Sequence, residues 1–226
     1  MKMERDILLT SSFFENCNHT IAYNELIKYK HLWEILPHIG EIIRTIGLTL
    51  SSEEYEKYPD DVWISRGARV NSSAEIKGPC IICQGAEIRH CAFVRGNVII
   101  GRGTVIGNST EVKNSIIFDK VQLPHYNYVG DSIIGYGSHL GAGAIISNVR
   151  GDKSECKIKI KGEIIDTGLR KLGAFIGEGV EIGCNSVINP ASVIGKDARV
   201  YPLSLVRGYV PQGTLYKSYG NIVEKR

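Results

Sequence analysis

Residues 62–112 read VWISRGARVNSSAEIKGPCIICQGAEIRHCAFVRGNVIIGRGTVIGNSTEV, and this stretch decides the fold. Starting at Ile64, every sixth residue is apolar for ten successive positions, and all but the last are isoleucine or valine. The ten positions are Ile64, Val70, Ile76, Ile82, Ile88, Val94, Ile100, Ile106, Val112 and Phe118. Since 43% of the chain is apolar, chance alone gives such a run in roughly one of several thousand cases. The period of six is therefore a structural repeat.

A second position follows the same period and holds mostly small side chains. It lies two residues before the apolar one, at Ala68, Ala74, Cys80, Ala86, Ala92, Val98, Thr104 and Thr110. An α-helix is excluded, because six residues turn it through about 600° and would scatter the isoleucine and valine side chains around its surface. β-Branched residues also favour extended structure. The pattern predicts an all-β fold, in which short strands joined by tight turns wind into a parallel β-helix with isoleucine and valine inside.

The repeat has two gaps, and it restarts after each. The restarted series are Tyr128, Ile134, Leu140 and Ile146, then Ile176, Ile182, Ile188, Ile194, Val200 and Val206. The gaps cover residues 118–127 and about 148–172. The second contains CKIKIKGEIID, whose alternating polar and apolar residues around Lys161-Gly162 predict a hairpin. Functional residues concentrate where a solenoid is interrupted, so both gaps are candidate regions for a site.

Residues 1–60 lack the repeat. Within them, TIAYNELIKYKHLWEILPHIGEIIRTIG predicts two helical pieces that Pro37 separates, with Gly47 ending the second. We expect this segment to cap the open end of the coil, where the core would otherwise meet water; a separate binding role is the alternative. The predicted organisation is a helical N-terminal cap (1–60), a β-helix (61–215) with an excursion at about 148–172, and a C-terminal tail (216–226).

Composition narrows the classes of function. A net charge of +3 gives no support for nucleic-acid binding, and no apolar run approaches the roughly 20 residues of a membrane span. The first residues show no secretory signal, so we expect a cytoplasmic location. Cys80 and Cys83 form a C-x-x-C motif, but no second pair of ligands follows at a zinc-binding spacing. We therefore expect no metal site and no disulfide.

His125 stands out among the six histidines, because it lies in the first gap, after Pro124 and beside Tyr126. An imidazole titrates near neutral pH and can accept a proton from a nucleophile. On these grounds alone, a single loop histidine is more often structural than catalytic.

A series of motifs shows a family resemblance over roughly residues 62–215. The motifs are Arg95-Gly96, GNSTEVKN (107–114), PHYNYVGDSIIG (124–135), LGAGAIISN (140–148) and KIKIKGEIIDTGLRKLGAFIG (157–177). The first four resemble the acetyltransferase domain of bifunctional glucosamine-1-phosphate acetyltransferase/N-acetylglucosamine-1-phosphate uridyltransferases. The last is still more similar to archaeal-type sugar-1-phosphate nucleotidylyltransferase/acetyltransferases. The resemblance implies a left-handed β-helix built on hexapeptide repeats, usually assembled as a homotrimer.

The resemblance also implies roles for residues that match the family's motifs. His125 matches the general base that acts on the sugar amine, and Tyr128 matches a tyrosine that contacts the substrate. Arg95 and Lys113 match the pair that holds the sugar phosphate, while Asn148 matches an asparagine on the substrate side. The activity implied is transfer of an acetyl group from acetyl-CoA to an amino-sugar phosphate, such as glucosamine-1-phosphate, for UDP-N-acetylglucosamine biosynthesis.

The same resemblance concerns three further positions. Ala142 and Lys153 are the acetyl-CoA-binding candidates: Ala142 matches a residue near the acetyl-CoA, and Lys153 lies near a lysine of the family, although the excursion shifts its alignment. His139 departs from the family, which usually has asparagine there and uses it to position substrate or thioester. His139 keeps hydrogen-bonding capacity, so we retain it as a substrate-binding candidate.

Two other functions remain open. Bifunctional members of the family carry a nucleotidyltransferase domain, and residues 1–60 contain no Gly-rich nucleotide-binding loop, so we expect no nucleotidyltransferase activity. One alternative is therefore a non-catalytic protein that binds or senses a sugar phosphate or sugar nucleotide. The other is a metal enzyme of the γ-class carbonic anhydrase type. It needs three histidines, but His90, His125 and His139 do not show the required close pair.

Overall fold

The computed structural model describes residues 7–14, 17–217 and 221–224. Short helices precede the strands: α1 Thr10–Phe13, α2 Tyr23–Leu26, α3 Leu32–Ile35 and α4 Ile39–Gly47, with 3₁₀ turns at Cys17–His19 and Leu36–His38. The strands follow in chain order as β1 Tyr55–Tyr58, β2 Val62–Ser65, β3 Arg69–Val70, β4 Glu75–Lys77, β5 Cys80–Ile82, β6 Glu87–Ile88, β7 Phe93–Arg95, β8 Val98–Ile100, β9 Val105–Asn108, β10 Glu111–Ile117, β11 Gln122–His125, β12 Tyr128–Ile134, β13 His139–Leu140, β14 Ile145–Ile146, β15 Lys157–Ile160, β16 Glu163–Asp166, β17 Ala174–Ile176, β18 Glu181–Ile182, β19 Val187–Ile188, β20 Ser192–Ile194, β21 Arg199–Val200, β22 Leu205–Val206, β23 Tyr209–Val210, β24 Thr214–Tyr216 and β25 Ile222–Glu224.

These strands form the three faces of a left-handed parallel β-helix, which confirms the predicted fold class. The first face contains β2, β5, β8, the second half of β10 and of β12, β17, β20 and β23. The second contains β3, β6, β9, β11, β13, β18, β21 and β24. The third contains β4, β7, the first half of β10 and of β12, β14, β19 and β22.

The strand register shows a slip in the repeat that the sequence pattern conceals. Ile82 pairs with Ile100, eighteen residues on, as three hexads per coil require. Ile100 then pairs with Ile117, not Phe118, so the prediction that Phe118 continues the inward series was wrong by one residue. Phe118 is buried elsewhere, against the ring of Phe14, with 4.5 Å between ring centroids.

The slip arises because two strands turn a corner of the coil with one residue, where the coils before them use two. β10 and β12 have seven residues each, and each bends at a residue with positive φ, Asn114 (43°) and Asp131 (50°). As a result Val129, not Tyr128, pairs with the inward Val112. The first predicted gap is therefore no break in the coil: the two successive coils that meet there have 17 residues each instead of 18, and β11 pairs normally with β9 and β13 on either side of it.

The second gap is an excursion from the coil. Ile146 pairs directly with Ile188, so the residues between them leave the coil and return. Within this excursion β15 and β16 form an antiparallel hairpin, and β15 packs near β20 of the first face. The side chains of Ile158 and Ile160 are fully buried there.

The helical segment covers a side of the coil. α4 packs against β5, β8 and β10, and the outward-pointing Ile81, Ile99 and Ile116 of these strands are fully buried. The predicted cap over the open end is not what this segment forms, and Val70 in the first coil stays 40% exposed. The first face needs this cover because its outer side chains are as apolar as its inner ones. No helix in the described part of the chain is long and apolar enough to span a membrane.

Candidate active site

A cationic cleft lies at the corner between the third face and the first. Arg95 on β7 pairs with Lys77 on β4, and Lys113 on β10 lies one coil further along the same row. Arg95 and Lys113 line a cleft of about 440 Å³ together with Asp131 and Lys171, while Leu36 and Pro37 of the helical segment form its rim. Three cationic side chains therefore reach one space.

The carboxylate of Asp131 binds the polar side chains on one side of this cleft. It lies at the corner of β12 and is 5% exposed. Its carboxylate accepts hydrogen bonds from Asn114 Nδ2 (2.8 Å) and from Asn148 Nδ2, and Lys113 Nζ lies 3.3 Å away. A buried carboxylate is stable only when paired and hydrogen-bonded, and these three partners meet that need. Asp131 thereby fixes the positions of Lys113 and Asn148.

Tyr128 adjoins this group on the third face. Its hydroxyl donates a hydrogen bond to Asn148 Oδ1 at 3.4 Å. Burial raises the pKa of Tyr128, and the nearby carboxylates of Glu111 and Asp131 raise it further, so the phenol stays a neutral donor. The structure thus brings Tyr128 and Asn148 next to the cleft that Arg95 lines.

Arg95 already has a carboxylate partner. Its Nη1 donates to Glu111 Oε1 at 2.6 Å, and this contact raises the pKa of the guanidinium. Both side chains are substantially exposed, so the pair is held only weakly. A phosphate entering the cleft can therefore compete with Glu111 for Arg95.

His125 lies at the other end of the third face, at its corner with the second. It is the last residue of β11, and its carbonyl accepts a hydrogen bond from Gly143 N–H at 3.0 Å, which places Ala142 on the adjacent coil. The buried Asn127 fixes this corner by donating to Gly141 O at 2.8 Å. The imidazole is exposed and makes no hydrogen bond to another side chain within the described residues. His125 and the cationic cleft therefore flank the same face from opposite corners.

Two predicted residues lie away from this face. His139 is on β13 in the second face, where its Nδ1 is 2.9 Å from Glu181 Oε2. Lys153 lies in the excursion and does not line the cleft. The lysine that does reach the cleft from the excursion is Lys171, which sequence reasoning missed. In the structure, an isolated β-bridge between Val149 and Lys171 closes the base of the excursion and brings its two ends together. This bridge places Lys171 beside the cleft.

No cluster of three or more histidine, cysteine, aspartate or glutamate side chains suited to a metal ion occurs in the described ranges. His90 and His125 lie on the same row, two coils apart, and His139 lies on another face. The three histidines therefore do not converge as the carbonic anhydrase alternative requires.

Fold and cleft together define a hexapeptide-repeat β-helix protein with a basic cleft on its side. Residues 76–167 match the family model described as the GMPPB C-terminal domain. The chain is 45% identical over 103 residues to the bifunctional sugar-1-phosphate nucleotidylyltransferase/acetyltransferase of Sulfurisphaera tokodaii, a match that covers 46% of this chain and 26% of that protein. It is 34% identical over 113 residues to the bifunctional protein GlmU of Methanococcus maripaludis, covering 50% of this chain and 27% of that one.

The chain thus spans about a quarter of the length of these relatives, in their C-terminal region. The resemblance inferred from the sequence motifs is confirmed for that region. Among solved structures, a hexapeptide transferase family protein from Anaplasma phagocytophilum aligns with 78% of this chain and 86% of its own length, at 17% identity and a TM-score of 0.49.

Proposed function

We propose that this chain transfers an acetyl group from acetyl-CoA to the amine of an amino-sugar phosphate such as glucosamine-1-phosphate. The observation that carries the proposal is the placement of Arg95, Lys113 and Lys171 around one cleft, with Tyr128 beside it on the third face and His125 at the opposite corner of that face. The names of two relatives, which include acetyltransferase and GlmU, support the same chemistry. The product would feed sugar-nucleotide biosynthesis in the cytoplasm.

The phosphate of the substrate fits the cationic cleft. A guanidinium can form two parallel hydrogen bonds with phosphate oxygens, and two ammonium groups add charge without fixed geometry. With the phosphate beside Arg95 and Lys113, the sugar lies over the third face, where Tyr128 and Asn148 offer a hydroxyl and an amide to its hydroxyl groups. The amine then points toward the corner that carries His125.

The acetyl transfer needs a base and an oxyanion site. An amine is nucleophilic only when neutral, so His125 removes its proton as the nitrogen attacks the thioester carbonyl, and the CoA thiolate leaves. Gly141 N–H and Gly143 N–H are already donated to Ile182 O and His125 O. The Ala142 N–H donates to no backbone carbonyl in the described structure, so we assign it to the developing oxyanion. Neither a covalent intermediate nor a metal ion is required.

A homotrimer would complete this site. His125 is exposed, and its ring has no hydrogen-bond partner within the described part of its own chain. A neighbouring subunit packed along this face would enclose His125 and the acetyl-CoA and exclude water from the thioester. His139 and Lys153, which lie off this face, would then act from the neighbour.

The test is release of CoA from acetyl-CoA in the presence of glucosamine-1-phosphate, galactosamine-1-phosphate or unphosphorylated glucosamine. We expect activity with a phosphorylated amino sugar and little with glucosamine. His125→Ala should lower kcat by about 10²–10⁴-fold, the usual contribution of a general base. His90→Ala is the matched control, because it removes an exposed imidazole from the same row, two coils away. Absence of CoA release with every phosphorylated amino sugar would refute the acetyltransferase proposal.

A second candidate is a binding protein that uses the cleft without catalysis. The unsupported imidazole of His125 and the existing Arg95–Glu111 pair favour it. Two results together would support this function. The protein would bind a sugar phosphate at equilibrium and lose that binding in Lys113→Met, and it would release no CoA from acetyl-CoA.

A further inference from the structure

A cysteine, a histidine and a serine are hydrogen-bonded to one another at the corner of the first coils, outside the proposed acetyl-transfer site. Ser73 Oγ lies 2.7 Å from His90 Nδ1, and His90 Nε2 lies 3.2 Å from Cys91 Sγ. The Cys91 N–H also donates to Ser73 Oγ at 3.0 Å. The imidazole therefore bridges a hydroxyl and a thiol.

The hydrogen bonds around Ser73 fix the tautomer of His90. Asn71 Oδ1 accepts from the Ser73 N–H at 3.1 Å, and it also accepts the Ser73 hydroxyl proton at 2.8 Å. With its one proton given to Asn71, Ser73 Oγ can only accept from His90, so His90 Nδ1 carries the hydrogen. The lone pair of Nε2 then faces Cys91 Sγ and is free to take the thiol proton.

The hydrogen bond to a histidine, together with its exposure, distinguishes Cys91 from the other cysteines whose side chains the structure describes. Cys80, Cys83 and Cys156 are buried, whereas Cys91 and Cys184 are exposed. Among the described residues, Cys184 forms no hydrogen bond with an imidazole. A thiol becomes nucleophilic as its thiolate, and a neighbouring histidine that takes its proton is a recurring way to supply it.

We propose that Cys91 is a thiol-modification site that accepts low-molecular-weight disulfides. His90 Nε2 takes the proton of Cys91, and the thiolate attacks one sulfur of the disulfide R–S–S–R. A new S–S bond joins Cys91 to one half, the original S–S bond breaks, and the released thiolate takes the proton back from His90. One thiol and one disulfide give one mixed disulfide and one thiol, so no other oxidant is needed.

The experiment treats the folded protein with 2-hydroxyethyl disulfide, an uncharged probe, and follows the mixed disulfides at Cys91 and Cys184 by peptide mass spectrometry. At pH 7 we expect Cys91 to react about threefold or more faster than Cys184, because His90 accepts the thiol proton as the sulfur attacks the disulfide. At pH 9.5, where an ordinary exposed thiol is also ionised, this rate ratio should fall. His90→Gln should bring the rate of Cys91 at pH 7 down to that of Cys184, and Ser73→Ala should have an intermediate effect.

Two results would overturn the proposal. A rate ratio that is equal at pH 7 and pH 9.5 would mean that Cys91 is only more accessible than Cys184, and an unchanged rate in His90→Gln would remove the histidine from the reaction. The buried Cys80 and Cys83 are internal controls, because they react only if a variant unfolds. Cys184 in each variant gives the reference rate for the same sample.

Discussion

Replacing Asp131 by alanine should destabilise the fold far more than a single side-chain deletion on the coil surface. The change leaves the ammonium of Lys113, whose side chain is only 18% exposed, without its carboxylate, and it removes the acceptor of Asn114 and Asn148. Breaking a buried ion pair typically costs 3–5 kcal/mol. Because Lys113 keeps some contact with water, we expect about 3 kcal/mol, which lowers Tm by about 6–12 °C in a chain of this size.

The assay is thermal unfolding followed by circular dichroism, at equal protein concentrations because association shifts Tm. Glu111→Ala is the matched control, since it also deletes a carboxylate that pairs with a cation of the cleft, but one with exposed side chains. We expect a cost of at most about 1 kcal/mol there, or up to 4 °C. Equal losses of Tm in Asp131→Ala and Glu111→Ala would refute the reasoning that the Asp131 network is a buried structural element.

Three further outcomes follow from packing and titration. A Cβ on Gly107 would overlap the Pro124 carbonyl, so Gly107→Ala should lower Tm by at least about 6 °C, whereas Gly151→Ala, with open space around it, should change Tm by less than 2 °C. Burial raises the pKa of Cys83 to about 12, so Cys83 should resist iodoacetamide at pH 8 until the chain unfolds; labelling in the native state would contradict this. Burial also raises the pKa of Asp119, so the folded state favours the protonated carboxyl. The stability that this carboxyl contributes is present at low pH and is lost as the pH rises through the raised pKa. Asp119→Asn should therefore raise Tm at pH 7 and have no effect below about pH 4, and a uniform shift would contradict this.

The hexad alone was enough to predict the fold class, because the inward residue and the small residue before it are local properties of each short strand. The one-residue slip could not be predicted from the same pattern. Ile116, Ile117 and Phe118 are three apolar residues in succession, so a sequence reading continues with Phe118 as readily as with Ile117. Only the pairing of Ile117 with Ile100 distinguishes them.

The candidate site was predictable in part. Arg95, Lys113, Tyr128 and Asn148 were chosen by resemblance, and the structure places them around one corner. Lys171 was missed because its approach depends on where an excursion of unknown shape returns to the coil. The same resemblance pointed to Lys153 as an acetyl-CoA contact, and that residue lies in the excursion and does not line the cleft.

The covered first face limits how freely this solenoid can change length during evolution. A bare β-helix is modular, because each coil contacts only its neighbours and a whole coil can be gained or lost. Here α4 spans β5, β8 and β10, so deletion of the coil carrying β8 would break the match between the helix and the row of Ile81, Ile99 and Ile116. Insertions and deletions of whole coils should therefore accumulate beyond β20, where neither the helices nor the hairpin fixes the count.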